Sequence, residues 1–155
     1  HQQSNKMRGY FEIGIYQGKH SQNLGILWRS AYQMGASGIF TIGKQYLKHK
    51  QKTDTYNSWK HIPLREFDNF EQFKNSIPFG CTLIGIETGG HRLTEFKHPQ
   101  RAIYLLGTED RGLPDSALEQ CEKTISLDAV NNSSYNVAVA GSIVMYHRQY
   151  IKPTG

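Results

Sequence analysis

Cysteine is scarce in this 155-residue chain: Cys81 and Cys121 lie far apart, with no CxxC pair and no histidine at ligand spacing. They suggest neither a disulfide scaffold nor a zinc site and read as reduced, buried thiols. Long hydrophobic runs are missing too. No stretch approaches the roughly 18 apolar residues of a membrane helix, and HQQSNKMRGY lacks the apolar centre of a signal peptide. A soluble, cytoplasmic protein without membrane contact is expected. The seven histidines are scattered, none in a short-spaced pair, so no metal is expected. There is no G-x-G-x-x-G after the first strand, no Walker A lysine loop and no G-x-S-x-G, which removes the ordinary fingerprints of dinucleotide binding, ATP binding and α/β-hydrolase chemistry.

What is present fits one compact domain: 37% hydrophobic and 20% charged residues, with no internal repeat, low-complexity tract or linker. The domain is placed at residues 10–155. Residues 1–9, which open without Met, are expected to be a disordered or appended segment. The formal net charge is +5, and four of those units fall between Thr41 and His61, where Lys44, Lys48, Lys50, Lys52 and Lys60 face Asp54 alone. Tyr46, Tyr56 and Trp59 lie between these lysines. Cations interleaved with aromatics pair phosphate attraction with base stacking, so Lys44, Lys48, Lys50, Lys52 and Trp59 are candidate RNA contacts. A basic face kept charged for solubility is the competing account.

The hydrophobic pattern predicts alternating elements. YFEIGIY from Tyr10 reads as a strand, and Leu24, Leu27, Trp28, Ala31 and Met34 form a helical stripe running from Asn23 to near Gly35. GIFTIG and IPLREF read as strands, and DNFEQFKNS as a short helix capped by Asp68. CTLIGIE and AIYLLG are nearly continuous apolar runs, which suits strands covered on both faces. PDSALEQC reads as a helix, KTISL as a strand and DAVNNS as a loop. A closing helix is expected from Ser134 to Tyr150, with Val137, Ala140, Ile143, Val144 and His147 near one face. Its small residues Ala138, Ala140, Gly141 and Ser142 predict a tight packing partner. The pattern gives an α/β fold, a mostly parallel sheet with helices on both faces.

Three polar, glycine-containing clusters fall at strand ends or helix starts, where open α/β sheets bind ligands. SQNLGILWRSA carries Asn23, Gly25 and Arg29 as N-x-G-x-x-x-R; LLGTEDRGLP spans residues 105–114; SSYNVAVAGSIV runs from Ser133 to Val144. Together and in this order they resemble the three motifs of the SpoU/TrmH family of SPOUT RNA methyltransferases: N-x-G-x-x-x-R, G-x-E-x-x-G-L, and S-x-N followed by small residues. Tyr135 stands where that family often has Leu, and Leu127-Asp128 where it often has Ile-Pro.

The resemblance, which covers nearly all of Tyr10 to Tyr150, implies a C-terminal deep trefoil knot from about Arg101 onward, binding of S-adenosylmethionine within it, a homodimer, and methyl transfer to an RNA ribose 2′-hydroxyl. The lack of an appended RNA-binding domain favours tRNA over ribosomal RNA. A non-catalytic RNA-binding module of the same fold, and methylation of a base nitrogen, are the other readings. The implied catalytic residues are Arg29, Asn23, Glu109, Ser134 and Asn136. Arg29 would hold the adjacent phosphate and stabilise developing alkoxide charge as a fixed cation, since guanidinium keeps its proton. Asn23 would orient backbone or substrate, or cap its helix. Glu109 would accept a proton or hold Asn136 and the motif backbone, Ser134 could cap the last helix, and Asn136 could bond across the site. Gly107 and Gly112 would allow close approach of the cofactor, and Ile86, Glu87, Leu127 and Tyr135, with the loop IETGG, would complete its walls.

Overall fold

The computed structural model describes residues 9–18, 20–43, 61–108 and 111–154. Six strands form one all-parallel sheet in the order β3-β2-β1-β5-β4-β6. The chain starts near the middle with β1 (Tyr10–Tyr16), crosses through α1 (Ser21–Met34) to β2 (Gly38–Ile42) and reaches the edge strand β3 (Leu64–Phe67). It returns through α2 (Phe70–Asn75) to β4 (Thr82–Arg92), and then β5 (Arg101–Leu106) inserts between β1 and β4. α3 (Asp115–Leu118) leads to the opposite edge strand β6 (Lys123–Ser126), and α4 (Val137–Tyr146) closes the fold.

Strand β1 is buried along its whole middle because helices cover both sides of the sheet. On one face Phe11, Ile13 and Ile15 pack with Leu24, Leu27 and Trp28 of α1 and Val144 and Met145 of α4. On the other, Phe40, Ile42, Ile103 and Leu105 pack with Phe73 of α2 and Ala117 of α3. Each fully buried aliphatic or aromatic side chain contributes roughly 1.5–3 kcal/mol, so the two layers fix the strand register together. Trp28 adds a polar anchor, its Nε1 donating to the Ile62 carbonyl at 3.0 Å.

The helix boundaries differ from expectation where two capping residues adjoin. Asn69, not Asp68, caps α2, accepting from the Gln72 N–H at 2.8 Å. α4 begins at Val137 because Asn136 is its cap, with its Oδ1 accepting from the N–H groups of Ala138 (2.9 Å) and Val139 (3.1 Å). Ser134 lies outside the helix in an exposed loop and does not cap it. The helical path continues as a π-helical turn, His147–Ile151. IETGG is not a free loop either. β4 runs on to Arg92, bulging between Ile86 and His91, both of which pair with Ile125 of β6.

The small residues of α4 find their tight partner inside the same chain. Ala138 is fully buried, a Cβ on Gly141 would stand 2.5 Å from Leu27 Cδ1, and the Ser142 and Ser30 hydroxyls are 2.7 Å apart. Ile143, placed by its spacing on the buried face, is instead exposed, with Val139, Tyr146 and Tyr150.

Beside this junction the C-terminal turn is pinned by Arg148, which is 1% exposed. Its guanidinium donates to the carbonyls of Pro99 (2.7 Å) and Gln100 (2.8 Å) and to the Tyr104 hydroxyl (3.1 Å), and lies 4.8 Å over the Phe11 ring. Guanidinium can only donate, so the Tyr104 proton points to His98 Nδ1 (2.6 Å) and His98 Nε2–H to His147 Nδ1 (2.8 Å). His147 Nε2, at the end of this relay, is buried without a partner among the described residues.

Candidate active site

A cavity of about 710 Å³ opens at the C-terminal edge of β4, β5 and β6. Its walls are Ile86–Gly89 from β4, Leu106–Thr108 after β5, and Leu127 with Ser133, Ser134 and Tyr135 from the segment leading to α4. Of the expected cofactor residues, Ile86, Glu87, Gly107, Gly112, Leu127 and Tyr135 all line it. Thr88 of the expected IETGG wall lines it too, whereas sequence reasoning missed Arg111 and the amides Asn131 and Asn132. The signals for them were the second cluster and the polar loop DAVNNS, each carrying more than the residues singled out.

The glycines of the second cluster are required by the protein's own backbone. A Cβ on Gly107 would stand 2.5 Å from the Leu113 nitrogen, because the chain folds back there with Thr108 bridging Gly112. Gly112 has φ +67, and a Cβ on it would stand 2.6 Å from Glu87 Oε1. Glu87 thus lies directly against the turn. Burial pushes its pKa up, more than the backbone N–H groups of Leu113 and Thr88 pull it down.

The segment after β6 is tethered at both ends. Arg92 grips the Asp128 carboxylate, with Nη2 to Oδ2 at 2.7 Å and Nε to Oδ1 at 3.3 Å, and holds that carboxyl below its usual range. Seven residues on, the Tyr135 hydroxyl donates to the Asp128 carbonyl at 2.6 Å. The two positions at which this chain departs from the expected motif therefore hold one another.

The first and third clusters meet: Asn136 Nδ2 donates to Asn23 Oδ1 at 3.1 Å. Asn23 is buried inside α1, which begins at Ser21 with His20 at its cap position, so Asn23 does not cap its helix; Asn136 caps α4, and one amide pair joins the two helices. Arg29 does not line that cavity; it is exposed on α1 between Ile26 and Tyr32, which are also exposed. Glu109 and the segment holding Lys44, Lys48, Lys50, Lys52 and Trp59 lie outside the described residues. Among the described residues no cluster of three or more His, Cys, Asp or Glu could hold a metal, and no helix is long and apolar enough to cross a membrane.

The sequence profile of the SpoU rRNA Methylase family matches residues 11–146. The chain belongs to this family. A relative described as an uncharacterized tRNA/rRNA methyltransferase of Archaeoglobus fulgidus is 25% identical over 129 residues, which is 81% of this chain and 58% of that protein. The chain thus spans little more than half the length of that curated relative. Among solved structures, one described as giving structural insights into the 2-OH methylation of C/U34 on tRNA superposes with a TM-score of 0.84 at 26% identity, covering 99% of this chain and 97% of that one. The SpoU methyltransferase AviRb from Streptomyces viridochromogenes, in complex with S-adenosylmethionine, superposes with a TM-score of 0.81 at 21% identity, covering 94% and 60%.

S-adenosylmethionine is the cofactor of this family, and the site fits a molecule of its kind. The cavity lies within the roughly 300–1,000 Å³ of small-ligand sites. Hydroxyl and amide side chains, one carboxylate and one guanidinium border it among the described residues.

Proposed function

We propose that this SpoU-family protein transfers a methyl group from S-adenosylmethionine to a ribose 2′-hydroxyl of tRNA, as a homodimer. The observation that carries the tRNA and ribose reading is the end-to-end superposition, with 97% of the partner chain covered, on the structure described for 2-OH methylation of C/U34 on tRNA.

When bound, the cofactor supplies a methyl group on positively charged sulfur, whose departure as a neutral thioether needs no further activation. What remains for the protein is alignment, which can lower a barrier by about 7–11 kcal/mol. The Asn23–Asn136 pair holds α1 against α4, the helix whose Val137 and Ala140 line the cavity. Arg29 would bind the phosphate beside the target ribose and, as a fixed cation, stabilise the negative charge that develops on the 2′-oxygen as its proton passes to water.

Arg29 stands outside its own chain's cavity, on α1, which packs against α4; Ile26 and Tyr32 of α1 and Val139, Ile143 and Tyr146 of α4 are all exposed. A second copy covering these side chains would bring Arg29 to the partner's cavity. The deep knot belongs to the same proposal. It is supported by the insertion of β5 between β1 and β4, and by the return of the chain past β4 to β6 and then to α1.

Incubation with methyl-labelled cofactor and purified tRNA tests the reading, because a 2′-O-methyl group protects the adjoining phosphodiester from alkali. Label is expected in alkali-resistant dinucleotides from tRNA. Label released as methylated bases would overturn the ribose assignment, transfer to ribosomal RNA alone would overturn the tRNA assignment, and no transfer would leave the non-catalytic module.

A further inference from the structure

Glu87 is the one carboxylate among the described residues lining the cavity, and no described cation forms an ion pair with it. It sits where the β4–β6 register shifts past Ile86, and its side chain borders the cavity. Its two oxygens lie against Gly112, which carries no side chain and has a backbone that few other residues adopt. The side chain is only half-buried, so part of the carboxylate faces the cavity. Burying a carboxylate without full compensation is costly, and burial pushes the Glu87 pKa up against the pull of the Leu113 and Thr88 backbone N–H groups. Such a group is retained where a ligand completes its hydrogen bonding.

We propose that the Glu87 carboxylate accepts hydrogen bonds from the vicinal 2′,3′-diol of the adenosyl ribose, and so selects the ribose end of the cofactor. The assignment rests on the cofactor reading above. Two neighbouring hydroxyls offer two donors spaced for the two oxygens of one carboxylate, the chemistry by which acidic residues recognise ribose in dinucleotide sites on other folds. The sulfonium is the other cofactor group that attracts an anion. It offers no N–H or O–H donor, and a carboxylate held against it would itself be within reach of the reactive methyl group. A position at the diol keeps Glu87 away from the reacting carbon.

Calorimetric titration with S-adenosylhomocysteine and with its 2′,3′-dideoxy analogue, on wild type and Glu87→Gln, separates the roles. Neither ligand carries the sulfonium, so a charge effect at sulfur is removed from the comparison. In wild type, loss of the diol should weaken binding about tenfold, within the range of a charge-assisted hydrogen bond. In Glu87→Gln the intact ligand should bind roughly five- to tenfold more weakly, and removing the diol should then cost less than about twofold, because the partners of one contact are not additive. Equal diol sensitivity in both proteins would overturn the proposal and leave Glu87 as a brace for the Gly112 turn. Wild type indifferent to the diol would overturn it without any variant. If wild type binds neither ligand, the cofactor reading itself fails.

Discussion

Asn136 donates to Asn23 across 3.1 Å, joining residues 113 positions apart in the chain, while its carbonyl oxygen caps α4 through two backbone N–H groups. One side chain thus spends its donor on the first motif and its acceptor on the third. Asn136→Ala should lose about 1–2 kcal/mol of stability, the range of a lost N-cap. Asn136→Asp keeps the acceptors and should recover most of that loss without restoring the bond to Asn23. Urea unfolding of the three proteins, compared at constant m-value, measures both effects.

Arg29→Ala should leave cofactor affinity unchanged, since Arg29 does not line its own chain's cavity and, in the proposed dimer, meets the RNA phosphate rather than the cofactor. Methyl transfer should fall at least about a hundredfold, near 2.7 kcal/mol of transition-state stabilisation. Arg29→Lys should recover little, because a point charge does not reproduce the guanidinium fork. Loss of cofactor binding in the alanine variant would make Arg29 structural.

If the exposed side chains of α1 and α4 form a dimer surface, Ile143→Asp should convert a species of twice 17.7 kDa into one of 17.7 kDa in sedimentation at low micromolar concentration. Activity should fall with it while the far-UV spectrum is unchanged. A wild-type monomer would leave these side chains without that role.

Acid should weaken the fold through its buried histidines. Burial foremost, then the nearby charges of His147 and Arg148, lowers the pKa of His98 to about 3, and burial lowers that of His147 as well. Unfolded histidines bind protons below about pH 6.5, whereas these two refuse them in the folded state. Their contribution is therefore present above pH 6.5 and is lost as the pH falls below it. His98 costs at most about 1.4 kcal/mol per pH unit in that window. Denaturation midpoints between pH 7 and pH 5 should fall in wild type, and His98→Gln should flatten that dependence.

Replacing Lys48, Lys50 and Lys52 together by Gln should weaken RNA binding and reduce its log–log salt slope by about two units or less, at roughly 0.7 per single-strand phosphate contact. Cofactor affinity should not change. Binding measured at several salt concentrations checks both, and an unchanged slope would mean a basic segment kept for solubility.

Elements with a strong local pattern were legible in the chain. The apolar runs of β1, β4 and β5 and the stripe of α1 appear where their periodicity puts them, because burial on a sheet or one helix face imposes that periodicity. Local pattern does not carry partner choice. The small residues of α4 announced a close contact, but nothing in them says that Leu27 of the same chain makes it. The glycine pair in IETGG read as a loop because pairing with β6 past a bulge leaves no local trace. The cavity walls were legible through the ordered motifs, whereas the Arg92–Asp128–Tyr135 tether joins segments whose contact only the fold creates. Nothing in the local sequence sets Arg148 apart, and its burial follows from the fold, in which Pro99 and Gln100 turn their carbonyls toward it.

That buried guanidinium has no counter-ion among the described residues; carbonyl dipoles, a phenol and an aromatic face satisfy it instead. Salt screens charges that water reaches and leaves enclosed dipoles nearly untouched. The fastening of the last turn to the sheet is therefore indifferent to ionic strength, while any grip on nucleic acid through surface lysines is not. If the proposed RNA contact is made through surface cations, a high-salt wash should strip the RNA without loosening the joint that closes the fold.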